Sequence, residues 1–223
     1  MCGRYVLATT PQAIAQRFAA TVPSGQIHVS HNVAPTRVMP VVTQRGDDER
    51  MVEFFRWGIV PKWGKGGATP PPLINARSET VAEKVTFRKL LRNNRCLVPA
   101  SGFYEWEKRG GAKIPHFFSV RDEPLIAYAG IFDTPASDDA GELPSFTILT
   151  TAANDLVRPF HDRMPVIVRL DDFEHWLDPN VEEPDLLEPL YTPYPADPMD
   201  QWAVSKDVNN ARIDTPDLIR PDA

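Results

Sequence analysis

The sequence has 223 residues, 42% of them hydrophobic and 24% charged, which is the composition of an ordinary globular protein large enough for a real core. With no apolar run of membrane-spanning length, no signal-peptide layout and only two cysteines, the protein is expected in the reducing cytoplasm, without a membrane partner. A net charge of −6 argues against nonspecific binding to nucleic acid.

Three segments have the apolar spacing of an amphipathic helix. The first, TTPQAIAQRFAA (9–20), has Thr10 as a suitable N-cap and Pro11 in the first turn, and its buried face would carry Ile14, Ala15, Phe18 and Ala19. The second, SETVAEKVTFRKLLRNN (78–94), has Ser78 as its cap, and its inward residues would be Val81, Val85 or Phe87, Leu90 and Leu91. The third is DDFEHWLD (171–178).

Strand-like runs rich in β-branched and aromatic residues lie between these helices, at 51–60, 96–106, 116–120, 125–132, 145–151 and 164–170. The 23 prolines argue against a helical bundle. Residues 64–72 are interpreted as one loop and 133–144 as an exposed hairpin loop. The sequence therefore predicts an α+β fold in a single domain over 1–223, with a bent antiparallel β-sheet or open barrel and a few peripheral helices.

The charges are unevenly distributed along the chain. Residues 181–200 are acidic and proline-rich and contain no Lys or Arg. Basic residues instead recur inside the conspicuous motifs, at Arg4, Arg56, Lys62, Lys65, Arg77 and Arg163. A local basic cleft on an acidic protein therefore stays open.

Four segments combine reactive side chains with Gly, Pro and aromatic residues: MCGRY (1–5), INARSET (74–80), GFYEW (102–106) and HDRMPV (161–166). Their reactive members would be Cys2, Asn75, Glu105 and His161. Strand alternation could turn Glu105 inward, where burial would raise its pKa toward the range needed for acid–base catalysis at neutral pH. No pair has the spacing of zinc ligands, so a metal is not expected.

Each of these residues also has a purely structural interpretation. A cysteine near a terminus is usually inert, and Asn75 before a helix could form a turn or a cap. Glu105 could face solvent on an edge strand, and His161 beside Asp162 and Arg163 could be a satisfied structural histidine.

Eight motifs, in order along the chain, resemble those of the SOS-response-associated peptidase (SRAP) family, whose members protect abasic sites in single-stranded DNA. They are MCGRY, HNVAPT, FFRWGIVPKW, INARSET, RCLVPASGFYEW, LTTAAN, HDRMPVIV and VSKDVNNAR. The resemblance implies that Met1 is removed and that the freed α-amine and thiol of Cys2 condense with the aldehyde of a ring-opened abasic site to give a thiazolidine. An α-amine has a pKa of about 7.7–8.0, so a useful fraction is neutral near pH 7. No metal or organic cofactor is needed.

The resemblance also implies roles for the other motif residues. Glu105 would shuttle protons and assist release of Met1, His161 would help open the sugar ring or protonate departing oxygens, and Asn75 would hold the Cys2 amine or the sugar. Phosphates would be held by Arg4, Arg77 and Arg163. The DNA-binding set further includes Asn32 and Pro35 beside displaced nucleotides, Trp63 stacked on a base, and Thr150. Trp63 is the weakest of these, because other family members carry paired tryptophans at this segment. The partner would be single-stranded DNA containing abasic sites, bound by a monomer that is associated with the bacterial nucleoid.

Three alternatives stay open at this point. A class II glutamine amidotransferase also begins Met-Cys-Gly and uses its cysteine as an acyl nucleophile, although its glutamine-binding and oxyanion motifs are not found here. A peptidase acting on other proteins would need the same nucleophile and proton shuttle. A noncovalent single-stranded-DNA binding module would not need Cys2.

Overall fold

The structure is a computed structural model that describes residues 2–23, 27–45, 49–61, 70–135 and 142–222. Within these ranges the strands are β1 Tyr5–Leu7, β2 Ala20–Thr21, β3 Ser30–Val33, β4 Val38–Arg45, β5 Glu49–Trp57, β6 Asn75–Arg77, β7 Arg95–Ala100, β8 Gly102–Arg109, β9 Ala112–Val120, β10 Ile126–Asp133, β11 Ser145–Ala152, β12 Arg163–Pro165, β13 Ile167–Val168 and β14 Met199–Ala203. The α-helices are α1 Pro11–Phe18, α2 Arg88–Asn93 and α3 Phe173–Leu177. Short 3-10 helices occupy Leu170–Asp172, Pro184–Leu186, Glu188–Tyr191, Lys206–Asn209 and Pro216–Ile219.

The first and third predicted helices are confirmed. The Thr10 hydroxyl accepts a hydrogen bond from the Ala13 N–H at 3.2 Å, which caps α1, and Ile14 and Phe18 are buried as predicted. The prediction for Ala19 was wrong, because this residue ends the helix in a left-handed conformation (φ 48°) and is exposed.

The second predicted helix is largely wrong, because only Arg88–Asn93 is helical. Residues 78–87 form successive turns, and the Ser78 N–H bonds to the Thr150 carbonyl at 2.9 Å instead of starting a helix. Four β-branched residues lower the helix propensity of this stretch: Thr80, Val81, Val85 and Thr86. Val81, Phe87, Leu90 and Leu91 are buried as expected, whereas Val85 is 76% exposed.

Two sheets make up the fold, which confirms a β-dominated α+β architecture that does not close into a barrel. The first has the order β14-β9-β8-β1-β3 and is antiparallel throughout, and the second has the order β12-β11-β10-β7-β4-β5-β2. The second sheet is mixed, because β6 and β5 both pair with β11 in parallel and β2 pairs with β5 in parallel. The sequence predicted a bent antiparallel sheet or open barrel, and the second sheet adds these parallel pairings to that prediction.

The predicted strand 96–106 is two strands, one in each sheet. The chain leaves β7 at Ala100 and enters β8 at Gly102. Gly102 has φ +153°, and a Cβ there would lie 2.3 Å from the Phe118 carbonyl oxygen and 2.5 Å from the Phe117 ring. Only glycine fits this crossing, and the crossing brings GFYEW to the same sheet as MCGRY.

The main hydrophobic core lies between the two sheets. Tyr5 from β1 packs edge-on against Trp57 and Tyr128, with ring centroids 5.1 and 6.1 Å apart, and Phe103 stacks on Phe118 at 5.0 Å. A smaller cluster includes Val6, Tyr104 and Phe117 from the first sheet together with Val204, Val208 and Leu218 from the end of the chain. Residues 204–222, called the C-terminal segment below, thus pack against the first sheet.

The two predicted loops have different outcomes. Asp133 pairs with Ser145 at the end of the antiparallel β10–β11 ladder, so 133–144 connects two paired neighbouring strands as predicted, and residues 136–141 of this connection lie outside the described residues. Most of the predicted loop at 64–72 lies outside the described residues, which do not include 62–69. Among the described helices, none is long and apolar enough to cross a membrane.

Candidate active site

Cys2 lies three positions before the first residue of β1 and belongs to the main core. Its side chain is fully buried, and the Asn75 side-chain Nδ2 donates to the Cys2 main-chain carbonyl at 2.9 Å. Asn75 begins β6, which pairs with Ile148–Thr150 of β11 and so is fixed in register against the second sheet. The Asn75 Oδ1 is buried and, within the described ranges, has no hydrogen-bond partner. The Asn75 side chain therefore contacts Cys2 through its Nδ2, and its Oδ1 is a buried acceptor beside Cys2.

Burial raises the pKa of the Cys2 thiol well above its ordinary value, and the nearby Glu105 carboxylate raises it further. The thiol is therefore protonated at neutral pH in this environment. Because the thiolate is the reactive form of cysteine, sulfur attack needs a base that removes the proton as the new bond forms. Glu105, the carboxylate that acts on the Cys2 pKa, is the candidate for that task.

Glu105 lies on β8, and strand alternation puts it on the same face as Phe103, which belongs to the main core. The side chain is 4% exposed, so the inward orientation considered from the sequence is confirmed. Burial raises the pKa of its carboxyl to about 7, with the positive charge of the chain's amino terminus acting in the opposite direction. A carboxyl with this pKa can accept and return a proton near neutral pH.

His161 ends a tight turn that begins at Asn154. The Asn154 side-chain Oδ1 accepts from the Val157 N–H at 3.0 Å, and the His161 N–H donates to the Val157 carbonyl at 3.1 Å. Phe160, just before the histidine, packs against Phe118 of the first sheet with ring centroids 5.1 Å apart. These contacts fix the main chain of His161. Burial and the positive amino terminus lower the pKa of its imidazole, while Asp162 raises it.

The fold therefore brings residues of separate motifs to one place, called the reactive cluster: Cys2, Asn75, Glu105 and His161. Cys2 and Asn75 are joined by a hydrogen bond, and Cys2 and Glu105 by electrostatic interaction. The carboxylate of Asp162, next to His161, raises the pKa of Glu105 and so links the histidine turn to β8 electrostatically. Their roles remain predictions.

Arg4 and Asn32 hold the C-terminal segment in place. The Arg4 Nη1 donates to the Asn32 Oδ1 at 2.5 Å and to the Val208 carbonyl at 2.7 Å. The Asn32 Nδ2 donates to the carbonyls of Val208, Asn210 and Ile213 at 3.3, 3.1 and 2.6 Å. This group is called the Asn32 anchor below. Asn32 is fully buried, so the nucleotide contact predicted for it would require the C-terminal segment to leave.

The other two predicted phosphate ligands differ in availability. Arg77 shares a face of β6 with Asn75, is exposed, and forms no ion pair among the described residues. The side chain of Arg163 is 11% exposed and is held by Glu79, with Nη1–Oε1 and Nη2–Oε2 distances of 2.5 and 2.8 Å. Its Nη2 also donates to the Thr150 carbonyl. Arg77 is therefore the more accessible of the two.

The remaining predicted DNA contacts have less to support them. The Thr150 side chain is buried, and its hydroxyl donates to the Ala76 carbonyl at 3.5 Å, so this residue shapes the β6–β11 pairing. Pro35 is half-buried in the turn after β3. Trp63, Lys62 and Lys65 lie outside the described residues.

Glu79 was not predicted as a partner of a site residue, and Asp162 was considered only as a structural neighbour of His161. Glu79 lies in INARSET and Asp162 in HDRMPV, so both are inside motifs that were noticed. Glu79 pairs with Arg163 across 84 positions, and no local pattern reveals such a contact. Asp162 is adjacent to His161, and that adjacency was the available signal.

Glu79 also borders an acidic cavity of about 540 Å³. Its carboxylates are Glu79, Glu83, Asp185 and Glu188, the last two from the proline-rich segment 181–200. This cavity would repel phosphate, so it is not a candidate for DNA binding. Among the described residues, no three His, Cys, Asp or Glu side chains are arranged to hold a metal ion.

Comparison with known proteins identifies relatives over nearly the whole chain. Residues 1–211 match the family model described as SOS response associated peptidase (SRAP). The chain is 37% identical over 222 residues to "Abasic site processing protein YoqW" of Bacillus subtilis (strain 168), covering 98% of this chain and 99% of that protein. It is 33% identical to "Abasic site processing protein HMCES" of Gallus gallus, covering 88% of this chain and 67% of that protein. A crystal structure of a protein from Bacteroides thetaiotaomicron superposes with a TM-score of 0.83 at 25% identity, over 100% of both chains.

Proposed function

The chain belongs to the SOS response associated peptidase (SRAP) family, and from that premise we propose that it processes abasic sites in single-stranded DNA by bonding to them covalently through Cys2. The observation that carries this proposal is the meeting of Cys2, Asn75 and Glu105, from three separate motifs, at the start of the chain. The names of the relatives give the substrate class, and the reactive cluster supplies the chemistry.

Hydrolysis of the Met1–Cys2 peptide bond gives Cys2 a free α-amine beside its thiol. The amine nitrogen adds to the aldehyde carbon of the ring-opened abasic site, and the resulting carbinolamine loses one water to give an imine. The Cys2 sulfur then adds to the imine carbon while the thiol proton passes to the imine nitrogen. The product is a five-membered thiazolidine that joins protein and DNA, and the condensation releases one water.

Burial of the Cys2 thiol favours this order of steps. Because the thiol pKa is raised, sulfur is a poor first nucleophile at neutral pH, and the amine reacts first. Glu105, with a pKa of about 7, can take a proton from the ammonium or the thiol and return it to the departing hydroxyl. Asn75 holds the Cys2 carbonyl, which restricts how the α-amine and thiol are presented.

The DNA would approach along the exposed face of β6, where Arg77 offers a guanidinium to a phosphate. With a net charge of −6, the protein gains little from long-range attraction. Affinity should therefore come from a short footprint, and the salt dependence should correspond to only a few phosphate contacts.

The first prediction tests the covalent bond. Mature protein, with loss of Met1 verified by mass, is incubated with a single-stranded oligonucleotide that contains one abasic site and analysed on a denaturing gel. Wild-type protein should give a slower band, and Cys2→Ala should abolish it because both the thiol and the ring-closing step are lost. Cys96→Ala is the matched control, since Cys96 is equally buried but lies within β7, and it should retain the band.

Two results would contradict the proposal: a wild-type protein that lacks Met1 and gives no band, or a full band from Cys2→Ala. The first would favour a noncovalent single-stranded-DNA binding module, and the second would mean that another residue forms the covalent bond. The same proteins incubated with unrelated peptides test the trans-peptidase alternative, for which Cys2-dependent cleavage is the supporting result. Ammonia release from glutamine would revive the amidotransferase alternative.

A further inference from the structure

One ring nitrogen of His161 has two competing partners. The Arg163 main-chain N–H donates to the His161 Nδ1 at 2.9 Å. The Asp162 Oδ1 lies 2.8 Å from the same Nδ1. An imidazole nitrogen either accepts through its lone pair or donates its proton, so it cannot satisfy both partners at once.

The two partners correspond to two protonation states. When Nδ1 accepts from the Arg163 N–H, the proton of the neutral ring is on Nε2. When Nδ1 carries a proton, it can donate to the Asp162 carboxylate, and the Arg163 N–H loses its acceptor. We propose that Asp162 is a positioning residue that controls protonation of His161, by taking over the Nδ1 hydrogen bond from the Arg163 N–H as the ring becomes charged.

The Asp162 side chain is the group that must move in this exchange. Its side chain is 82% exposed, so its carboxylate can turn to water at little cost when the ring is neutral. The Arg163 N–H, by contrast, is fixed because Arg163 begins β12 and Ala152 pairs with it in β11. The main chain of His161 is fixed by the bond to Val157. The rigid donor thus holds the neutral state and the movable carboxylate holds the charged one.

Charged groups on several elements act on this equilibrium. Lys108 of β8, Arg163 of β12 and the amino terminus oppose a positive imidazole, and Asp162 favours it. Glu105, also on β8, interacts with Asp162 as well. Asp162 is therefore the carboxylate that offsets three positive groups around His161.

This inference rests on the proposed function only for its meaning in catalysis. If His161 protonates a departing oxygen, it must first be an imidazolium, and the charged state held by Asp162 is the active one. The exchange itself concerns the protein without DNA, so it can be measured independently.

The second prediction is an NMR titration of ¹⁵N-histidine-labelled protein without DNA, with the His161 signal assigned from His161→Gln. Above its midpoint, wild-type His161 should show the Nε2–H tautomer. In Asp162→Asn the midpoint should fall by about one pH unit, because an opposite charge in contact is lost. Asp155→Asn is the matched control: it removes the same charge from an 86% exposed site in the same turn, and its midpoint should match wild type.

The inference is overturned if the neutral ring is the Nδ1–H tautomer, or if the Asp162→Asn midpoint stays at or above that of wild type. Adduct formation is followed in parallel. In Asp162→Asn the alkaline limb of the pH–rate profile for adduct formation should shift to lower pH together with the His161 midpoint. One pH unit above the wild-type midpoint, the rate of Asp162→Asn should therefore be up to tenfold lower than that of wild type. Failure of every variant to form an adduct would sink the proposed function while leaving the titration result standing.

Discussion

The reactive cluster and the Asn32 anchor start from the same five-residue motif but use polar side chains in opposite ways. In the anchor, every polar group of the Asn32 side chain that can bond is used, by Arg4 and three main-chain carbonyls. In the reactive cluster, the Asn75 Oδ1 is buried without a partner among the described residues, and Glu105 is buried with a pKa of about 7. Satisfied hydrogen bonds stabilise the fold at Asn32, whereas a buried carboxyl with a raised pKa, such as Glu105, is typical of a site where chemistry takes place.

MCGRY joins the two regions through residues two positions apart. Cys2 belongs to the reactive cluster, and Arg4 reaches the C-terminal segment through Val208. Tyr5 then enters β1 and packs in the main core against Trp57. The hydrogen bonds of Arg4 and the packed ring of Tyr5 therefore fix the main chain just after Cys2, which holds this end of the chain in position.

The third prediction changes the reactive cluster and leaves the anchor intact, and it has the largest expected effect of the three predictions that compare the two regions. Glu105→Gln removes the titrating proton carrier while keeping the shape of the side chain, so adduct formation should slow by about a hundredfold. The Kd for abasic-site DNA should change by less than about twofold. Rates come from denaturing gels at saturating protein, and affinities from anisotropy with the Cys2→Ala background to prevent bonding.

Glu107→Gln is the matched control, because Glu107 lies two residues along the same strand and contacts Arg109 and His116. Its rate should stay close to that of wild type. A parallel loss of rate and affinity in Glu105→Gln would mean that Glu105 supports the structure and does not carry protons.

The fourth prediction breaks the anchor without touching the cluster. Asn32→Ala leaves Arg4 and three carbonyls of the C-terminal segment short of a partner, and the free energy of unfolding should fall by about 3 kcal/mol. Urea unfolding measures the loss, and Asn180→Ala is the control because Asn180 is exposed and its side chain donates to the nearby Asp178 carboxylate. At a temperature where Asn32→Ala is folded, its rate of adduct formation should be within about threefold of wild type.

A different outcome would favour the role predicted for Asn32 from the sequence, which is a contact with displaced nucleotides. If Asn32→Ala is as stable as wild type but binds abasic-site DNA far more weakly, Asn32 contacts nucleotides and the C-terminal segment moves aside. The same experiment thus decides between an anchor and a DNA contact.

The sequence predicted the reactive cluster better than it predicted the anchor, for a physical reason. Cys2, Asn75, Glu105 and His161 stand out because their residue types carry chemistry, and their motifs occur together in a known family. Arg4 and Asn32 were also noticed within motifs, as was the C-terminal stretch VSKDVNNAR, but no local pattern shows that they contact each other across 204 and 176 positions. Only the folded chain brings these partners together.

The fold divides in a similar way. Thr10 and Pro11 predicted the start of α1 because capping is local. The strand 96–106 looked continuous because its residues all favour β-structure, and the break at Gly102 depends on contact with Phe117 and Phe118 of a neighbouring strand. The parallel pairing of β6 with β11 has no local signal either. The sequence therefore predicted features that depend on neighbouring residues, and it did not predict features that depend on contacts between distant residues.

The fifth and smallest predicted effect compares the two regions through pH. Folding raises the pKa of Glu105 from 4.5 to about 7, so the folded protein holds this proton more tightly than the unfolded chain. Stability is therefore greatest below pH 4.5 for this group and is lost as pH rises through 7. Glu105→Gln carries no such charge, so its free energy of unfolding minus that of wild type should grow by about 2 kcal/mol between pH 5 and pH 8. Urea unfolding at both pH values measures it. In Asn32→Ala the corresponding difference from wild type should not change with pH, because an amide does not titrate. A Glu105→Gln difference that is constant or shrinks would mean that folding does not raise the pKa of Glu105, and the contrast between a titrating Glu105 and a non-titrating, hydrogen-bonded Asn32 would then be lost.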